Sequence, residues 1–193
     1  MIYLDNAATT APNKEALRIA TQKYEELFYN PSASYRQGAE VHALIEDCKR
    51  TILETLTDDF SPTDKYDIVF TASGSEANNL AVHINGNYGN VVISDGEHAS
   101  VYEAAMKVSS YFVRDDEYLH ERTECSCVDT KNILNPIGRQ TQIVSVIHVG
   151  NETGEAFDIY NIARAVKQYS PCTLFHSDGV QAYGKIPFKL TPE

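Results

Sequence analysis

The stretch TQIVSVIHV, residues 141–149, is an almost unbroken apolar run that is rich in β-branched side chains. A continuous apolar run of this length is typical of a strand buried on both faces, as in a parallel sheet that is covered by helices. Four shorter runs predict further strands: DIVFT (67–71), VVIS (91–94), YFVR (111–114) and CTLFHSD (172–178).

Segments with helical patterns lie before and between these runs. The longest, residues 39–56, repeats its apolar side chains at the spacing of one helix face. Another, residues 12–28, begins with Pro12, which is favoured in the first turn of a helix. Strands that alternate with helices predict an α/β fold, a mostly parallel sheet flanked by helices. No repeat or low-complexity linker interrupts the chain, so residues 1–193 are predicted to form a single domain.

The charge and the apolar content exclude some classes of partner. The net charge of −11 gives a surface that repels phosphate backbones, so we expect no nucleic-acid partner. No apolar run reaches the length of a membrane span, so we expect no membrane association. The start, MIYLDNAATT, lacks the basic and apolar regions of a signal peptide, and this favours a cytoplasmic protein.

The four cysteines do not indicate a disulfide framework. Cys48 lies in a helical pattern and Cys172 opens a strand pattern, so both are predicted to be small buried hydrophobic residues. Cys125 and Cys127 form a lone C-x-C in a polar segment. A zinc site needs a second pair of cysteines or histidines at a suitable spacing, and we expect no metal.

Polar residues follow four of the predicted strands. In open α/β sheets, ligands bind outside the carboxyl ends of the strands, so these residues are expected to meet at one edge of the sheet. They are Gly74 and Ser75, which open a helix, and the side chains of His98, Asn151, Asp178 and Gln181.

Together these groups suit a flat, anionic, heteroaromatic ligand. A phosphate would bind at the helix N-terminus that Gly74 and Ser75 open, because the backbone N–H groups and the helix dipole favour an anion there. A ring would lie against His98, and Asp178 would pair with a ring N–H⁺. Each group also has a structural alternative: serines cap helices, and asparagine or aspartate in a turn often bonds its own backbone.

Six motifs carry a family resemblance. YLDNAATT, NPSAS, FTASGSEANNLA, EHAS, NETG and SDGVQAYGKIP run in this order from Tyr3 to Pro187. The series resembles that of the cysteine desulfurases, which belong to the class V aminotransferase family of fold-type I pyridoxal-phosphate enzymes. The resemblance implies the large-domain fold of these enzymes and pyridoxal 5'-phosphate as cofactor. It also implies removal of sulfur from L-cysteine to give alanine and an enzyme persulfide, for iron–sulfur cluster assembly or other sulfur transfer.

The resemblance implies roles for individual residues as well. Asp178 would keep the pyridine nitrogen protonated, and His98 would stack on the ring with an acid–base role. Amides near the ring hydroxyl oxygen and a phosphate-binding turn complete the cofactor site: Asn151, Gln181, Gly74 and Ser75. The motifs around the substrate pocket contribute Ala8, Thr9, Asn30 and Ser32.

Other parts of such an enzyme correspond to positions beyond Glu193. They are the Schiff-base lysine in a Ser-x-His-Lys motif, the later persulfide-forming cysteine and a small C-terminal domain. The sequence is therefore expected to be a truncated first half that is inactive alone, and Lys185 matches no catalytic position. The family commonly has asparagine at Gly150. A homodimer and a sulfur-acceptor protein are also implied.

Two alternatives stay open, and a third is disfavoured. The chain could be a non-catalytic cofactor-binding or dimerisation fragment. It could also belong to another class V enzyme such as selenocysteine lyase, because the residues that bind the ring do not separate these activities. A nicotinamide-binding Rossmann domain is disfavoured, because ASGSEANN is not a G-x-G-x-x-G turn.

Overall fold

The computed structural model describes residues 2–59, 62–84, 89–112 and 130–190. They form two compact units. One comprises Met1–Val69 together with Phe188–Glu193, and the other comprises Phe70–Pro187.

The first unit is helical. It contains α1 (Lys14–Glu26), α2 (Arg36–Leu56) and a short 3₁₀ helix at Pro62–Asp64. Helix α1 begins after Asn13, whose Oδ1 accepts hydrogen bonds from the backbone N–H groups of Glu15 and Ala16, both at 3.0 Å. Asparagine is a favoured N-cap because it satisfies backbone donors that the helix itself leaves unpaired. Both helices predicted for this part of the chain are confirmed.

The second unit contains a parallel sheet. Its strands are β1 (Asn90–Ile93), β2 (Ser109–Phe112), β3 (Thr141–Ser145) and β4 (Leu174–His176). All pairings are parallel, and the spatial order is β2-β1-β3-β4. The helices are α3 (Gly74–Val82), α4 (Ala99–Ala105), α5 (Thr130–Leu134) and α6 (Ile159–Tyr169). The predicted α/β fold, a parallel sheet with flanking helices, is confirmed.

A separate hydrophobic core covers each face of the sheet. Successive side chains of a strand point to opposite faces, and both sets are apolar here. The first core joins strand residues to α3 and α4: Val82, Val91, Ile93, Val101, Ala104, Ala105 and Ile143. The second joins the alternate strand residues to α5 and α6: Val92, Ile133, Ile137, Val144, Val146, Ile162 and Val166. Burial on both faces explains why the strands lack a polar alternation.

One predicted strand is absent. Residues 67–71, DIVFT, have no strand structure, and no strand among the described residues pairs with them. Val69 is 67% exposed and Phe70 is 57% exposed, so the apolar pattern is present but lacks the covering neighbours that a buried strand requires. The strand predicted at 111–114 is confirmed at Tyr111 and Phe112, which belong to β2, and residues 113–114 lie outside the described ranges.

The prediction that Cys48 and Cys172 are buried is wrong. Both are free and exposed. Cys48 lines an open groove on α2 with Leu44 and Ile52, and Cys172 lies in the turn before β4. Cys125 and Cys127 lie outside the described residues.

Two kinds of feature are absent from the described ranges. They contain no group of three or more His, Cys, Asp or Glu side chains arranged to hold a metal ion. Within the same ranges we find no helix with both the length and the hydropathy that a membrane span requires.

Candidate functional site

The carboxylate of Asp178 is held rigidly just beyond the carboxyl end of β4. Asp178 is only 6% exposed. Its Oδ2 accepts a hydrogen bond from Asn78 Nδ2 at 2.8 Å, and its Oδ1 accepts one from the backbone N–H of Val180 at 3.0 Å. Its backbone carbonyl accepts from the N–H of His148 at 3.0 Å, which extends the pairing of the chain after β3 with the chain after β4.

A chain of hydrogen bonds connects Asp178 to His98. Asn78, on α3, is buried and also donates from Nδ2 to Ser100 Oγ at 2.8 Å. Ser100 Oγ lies 2.8 Å from His98 Nδ1, and the backbone N–H of Ser100 donates to the same nitrogen at 3.2 Å. His98 is also the N-cap of α4, so the same side chain caps this helix and belongs to the candidate site. The structure therefore brings the two predicted ring-binding residues together through Asn78 and Ser100.

The N-terminus of α3 lies beside the turn that follows Asp178. Ser73 is the N-cap, and its Oγ accepts from the backbone N–H of Glu76 at 3.2 Å. Gly74 and Ser75 are exposed in the first turn. A Cβ atom at Gly74 would lie 3.4 Å from Val180 Cγ2, so the first turn of α3 contacts the segment after Asp178. The backbone N–H groups of this helix N-terminus could bind an anion without a cationic side chain. The anion would lie near the turn that follows Asp178.

The two predicted amides lie in turns at the same edge of the sheet. Asn151 is half-buried in the turn after β3, where the N–H of Gly150 donates to the carbonyl of Glu155 at 2.8 Å. Gln181 is half-buried three residues after Asp178, and its Oε1 accepts a hydrogen bond from Lys185 Nζ. Their roles toward a ring oxygen stay predictions.

Gly150 suits the tight geometry of its turn. A Cβ atom there would lie 2.5 Å from Thr153 Oγ1, closer than real Cβ contacts come. An asparagine, which the family commonly has at this position, would force Thr153 to move.

The four predicted substrate-pocket residues belong to the helical unit, and all are exposed: Ala8, Thr9, Asn30 and Ser32. Asn30 Oδ1 accepts from the backbone N–H of Ser32 at 2.9 Å, which fixes the NPSAS turn. This turn packs on Gly38 of α2, where a Cβ atom would lie 2.6 Å from the carbonyl oxygen of Ala33. Their part in substrate binding stays a prediction.

A buried polar cluster beside Asp178 was missed by the sequence analysis. Glu97 Oε1 accepts from Ser145 Oγ at 2.9 Å and from Ser94 Oγ at 3.2 Å, and Ser145 Oγ lies 2.8 Å from His176 Nδ1. Burial raises the pKa of the Glu97 carboxyl to about 7, and the charge of Asp178 adds to the rise. Burial also lowers the pKa of His176, against the opposing effect of Asp178.

A signal for part of this cluster exists in the sequence. Ser145 and His176 are polar residues inside the apolar runs that become β3 and β4, and they are direct partners in the strand register. A polar residue in a strand that is buried on both faces needs a hydrogen-bond partner. Two such residues in neighbouring strands therefore indicate a buried polar site. Asn78, Ser100 and Glu97 have no comparable signal, because polar residues near helix starts are common.

Replacement of Asn78 by alanine is expected to destabilise the chain by about 1–3 kcal/mol, because Asp178 Oδ2 would remain buried without its donor. Asn79→Ala is the matched control on the same helix. Asn79 Nδ2 donates to the carbonyl of Ser75, in an exposed bond at 2.8 Å, so a smaller loss is expected. Urea unfolding of both variants measures the difference, and equal losses would contradict a buried role for the bond between Asn78 and Asp178.

The chain matches the family described as Aminotransferase class-V over residues 2–192. It is 33% identical to the cysteine desulfurase IscS of Buchnera aphidicola, over 98% of this chain and 46% of that protein. It is 25% identical to the selenocysteine lyase of Xenopus laevis, over 96% of this chain and 48% of that protein.

A similar fold occurs among solved structures. A NifS-like protein from Rickettsia africae superposes with a TM-score of 0.81 at 31% sequence identity, over 98% of this chain and 50% of that one. A second NifS-like protein gives a TM-score of 0.79 at 26% identity, over 98% of this chain and 51% of that one. The fold is that of the NifS-like enzymes, and the chain spans about half the length of the curated relatives that it matches. The family match over residues 2–192, together with this fold, shows that the chain belongs to the class-V aminotransferase family.

Proposed function

We propose that the chain is the N-terminal part of the large domain of a pyridoxal-phosphate-dependent cysteine desulfurase. The complete enzyme would take L-cysteine, release alanine and retain the sulfur as a persulfide for transfer. The observation that carries the proposal is the buried carboxylate of Asp178, fixed at the sheet edge beside the N-terminus of α3.

The residues at this edge fit pyridoxal phosphate. Both oxygens of Asp178 accept from neutral donors, and within the described ranges no cationic side chain forms an ion pair with it. A buried carboxylate without a positive partner is costly, and a protonated ring nitrogen would supply that partner. The first turn of α3, with Gly74 and Ser75, would hold the phosphate through backbone N–H groups.

When bound, the cofactor supplies an electron sink for the substrate Cα. Asp178 would hold the proton on the ring nitrogen, because an opposite charge at short range favours the protonated form. Asn78 keeps that carboxylate oriented through its 2.8 Å bond to Oδ2. His98 would pack against the ring and exchange a proton with the substrate.

The hydrogen bonds around His98 define which ring nitrogen carries its proton. Asn78 donates to Ser100 Oγ, so the single hydroxyl proton of Ser100 is left to donate to His98 Nδ1. The backbone N–H of Ser100 points at the same nitrogen. Nδ1 therefore accepts, and a neutral His98 carries its proton on Nε2, from which it could donate a hydrogen bond toward the ring or the substrate.

A second candidate activity is a selenocysteine lyase. The similarity to the Xenopus laevis enzyme extends over 96% of this chain at 25% identity. The groups around Asp178 would bind the ring of the cofactor, and such residues do not separate sulfur from selenium substrates. The chain could also be a fragment that binds the cofactor or a second subunit without catalysis.

The proposal also covers the oligomeric state, the cellular compartment and the sulfur acceptor of the enzyme. Large apolar side chains near the start of the chain are exposed, including Leu4 at 87% and Tyr24 at 78%, and such a surface favours a homodimer. The exposed free thiols of Cys48 and Cys172 favour a reducing compartment such as the cytoplasm. A persulfide product requires an acceptor, which would be a second protein in iron–sulfur cluster assembly or another sulfur-transfer reaction.

The direct test is to purify the protein from its natural source or from the whole gene, add pyridoxal phosphate and L-cysteine, and measure cofactor absorbance and alanine. A shift in cofactor absorbance with stoichiometric alanine and reducible sulfur supports the desulfurase. Turnover of L-selenocysteine alone would establish the lyase, and bound cofactor without turnover of either would establish the non-catalytic fragment. No absorbance change on adding the cofactor would overturn the binding site itself.

A further inference from the structure

Glu97, Ser145 and His176 form a continuous hydrogen-bonded cluster that the proposed mechanism does not use. Ser145 is fully buried at the end of β3, and its Oγ lies between Glu97 Oε1 at 2.9 Å and His176 Nδ1 at 2.8 Å. Ser145 and His176 are register partners on the face of the sheet that α3 and α4 cover. Glu97 lies in the loop between β1 and α4, directly before His98.

The hydroxyl of Ser145 has one proton and two partners, so its direction is coupled to both neighbours. When Glu97 is a carboxylate, Ser145 donates to Oε1, and His176 must then carry its proton on Nδ1 and donate to Ser145. When Glu97 is a carboxylic acid that donates to Ser145, the hydroxyl turns around and donates to His176 Nδ1. His176 then carries its proton on Nε2.

We propose that Glu97, Ser145 and His176 form a proton relay, in which a proton taken up at His176 Nε2 is stored on Glu97, beside Asp178. The transfer balances in three steps. Nε2 of His176 gains a proton from solvent, its Nδ1 proton passes to Ser145 Oγ, and the former hydroxyl proton of Ser145 passes to Glu97 Oε1. His176 stays neutral, and the cluster gains one positive charge.

The surroundings favour storage of the proton on Glu97. Desolvation outweighs the hydrogen bonds that the Glu97 carboxylate receives from Ser145, from Ser94 and from the backbone of Ile147, so the ionised form is incompletely solvated. The titratable group outside the cluster that acts on the Glu97 carboxyl is Asp178, which follows β4. Strand β1 contributes the neutral hydroxyl of Ser94 at its end. The negative charge of Asp178 opposes a second carboxylate at Glu97.

The consequence for the cofactor rests on the proposed function. With Glu97 neutral, Asp178 would be the negative charge toward a bound ring nitrogen. A protonated ring would neutralise Asp178 and weaken its repulsion of the Glu97 carboxylate. Cofactor binding should therefore lower the pH at which Glu97 titrates. Glu97, Ser145 and His176 are positioning residues in this scheme, because they act on the cofactor through Asp178.

Nitrogen NMR of protein labelled in its histidine rings tests the relay without any catalytic assay. As the pH falls through about 7, the His176 signal is expected to change from the Nδ1–H to the Nε2–H tautomer. A carboxyl carbon label on glutamate should show Glu97 titrating at the same midpoint. His176→Gln identifies the signal among the six histidines.

Two variants and one control separate the relay from general effects on the fold. Ser145→Ala removes the link, so Glu97 should still titrate while the tautomer of His176 no longer follows it. If Ser145→Ala does not fold, Glu97→Gln should likewise abolish the tautomer change. Ser94→Ala is the control, because Ser94 donates to the same Oε1 without bonding His176, and the change should persist.

Three results are decisive. If the tautomer of His176 stays constant while Glu97 titrates, Glu97 takes up its proton at Oε2 and not through Ser145. This result would overturn the relay. Protonation of both nitrogens of His176 would also overturn it. If the relay is observed but added pyridoxal phosphate leaves the Glu97 midpoint unchanged, the relay stands and the contact of Asp178 with the cofactor is the part that fails.

Discussion

Asp178→Asn is expected to lower the turnover of L-cysteine by the complete enzyme by about 10²–10³-fold, the usual cost of losing one preorganised electrostatic contact at a reacting centre. The amide is neutral, so it cannot raise the pKa of a ring nitrogen as a carboxylate does. It also cannot accept from both Asn78 and the N–H of Val180, since one of its two atoms is a donor. Cofactor should therefore bind more weakly and with an altered absorbance spectrum.

Two measurements check this result. Titration of the apoprotein with pyridoxal phosphate gives the change in affinity, and alanine release gives the change in turnover. Asp95→Asn is the control, because Asp95 is exposed in the turn after β1 and the substitution changes the same charge. If Asp178→Asn and Asp95→Asn behaved alike, the proposed pairing of Asp178 with the cofactor would be wrong.

Glu97→Gln is expected to remove about 3 kcal/mol of pH dependence from the free energy of unfolding. Burial raises the pKa of Glu97 from 4.5 to about 7 in the folded chain, and each tenfold change in proton affinity corresponds to about 1.4 kcal/mol. The folded state holds this proton more tightly than the unfolded state does. The stabilisation is therefore fully present below pH 4.5 and is lost as the pH rises through about 7.

Glutamine resembles the protonated carboxyl and does not titrate, so the variant should match the wild type in acid and exceed its stability above pH 7. Urea unfolding at a series of pH values gives the difference between the two proteins. Glu103→Gln, on the exposed side of α4, is the control and should leave the wild-type pH profile unchanged. A constant difference between Glu97→Gln and the wild type at every pH would show that Glu97 does not titrate with folding.

The part of the fold that the sequence predicts best is the part with the strongest local pattern. The apolar runs that become β1, β3 and β4 are bounded by turn residues, and their composition alone indicates burial on both faces. The same reasoning failed at DIVFT, where the pattern is equally apolar but Val69 and Phe70 stay exposed. A strand needs neighbours to pair with, and a local pattern contains no information about whether they are present.

The candidate site likewise has residues whose positions the sequence predicts and one residue whose position it does not. His98 and Asp178 follow strands directly, and since the carboxyl ends of parallel strands meet at one edge, their positions follow from the order of the elements. Asn78, which connects them, lies one turn inside α3 and approaches Asp178 from 100 residues away along the chain. No spacing in the sequence predicts that contact.

The α/β class, the family motifs and the edge of the sheet at which polar groups collect could be predicted from the amino-acid sequence. These features depend on hydrophobic periodicity and on motifs of neighbouring residues, and both kinds of pattern extend over only a few positions of the sequence. The burial of Asp178 against Asn78 and the hydrogen bonds that link Glu97, Ser145 and His176 could be found in the folded chain alone. The direction of a hydrogen bond and the desolvation that shifts a pKa depend on groups from different elements at distances near 3 Å, and folding alone brings these groups together.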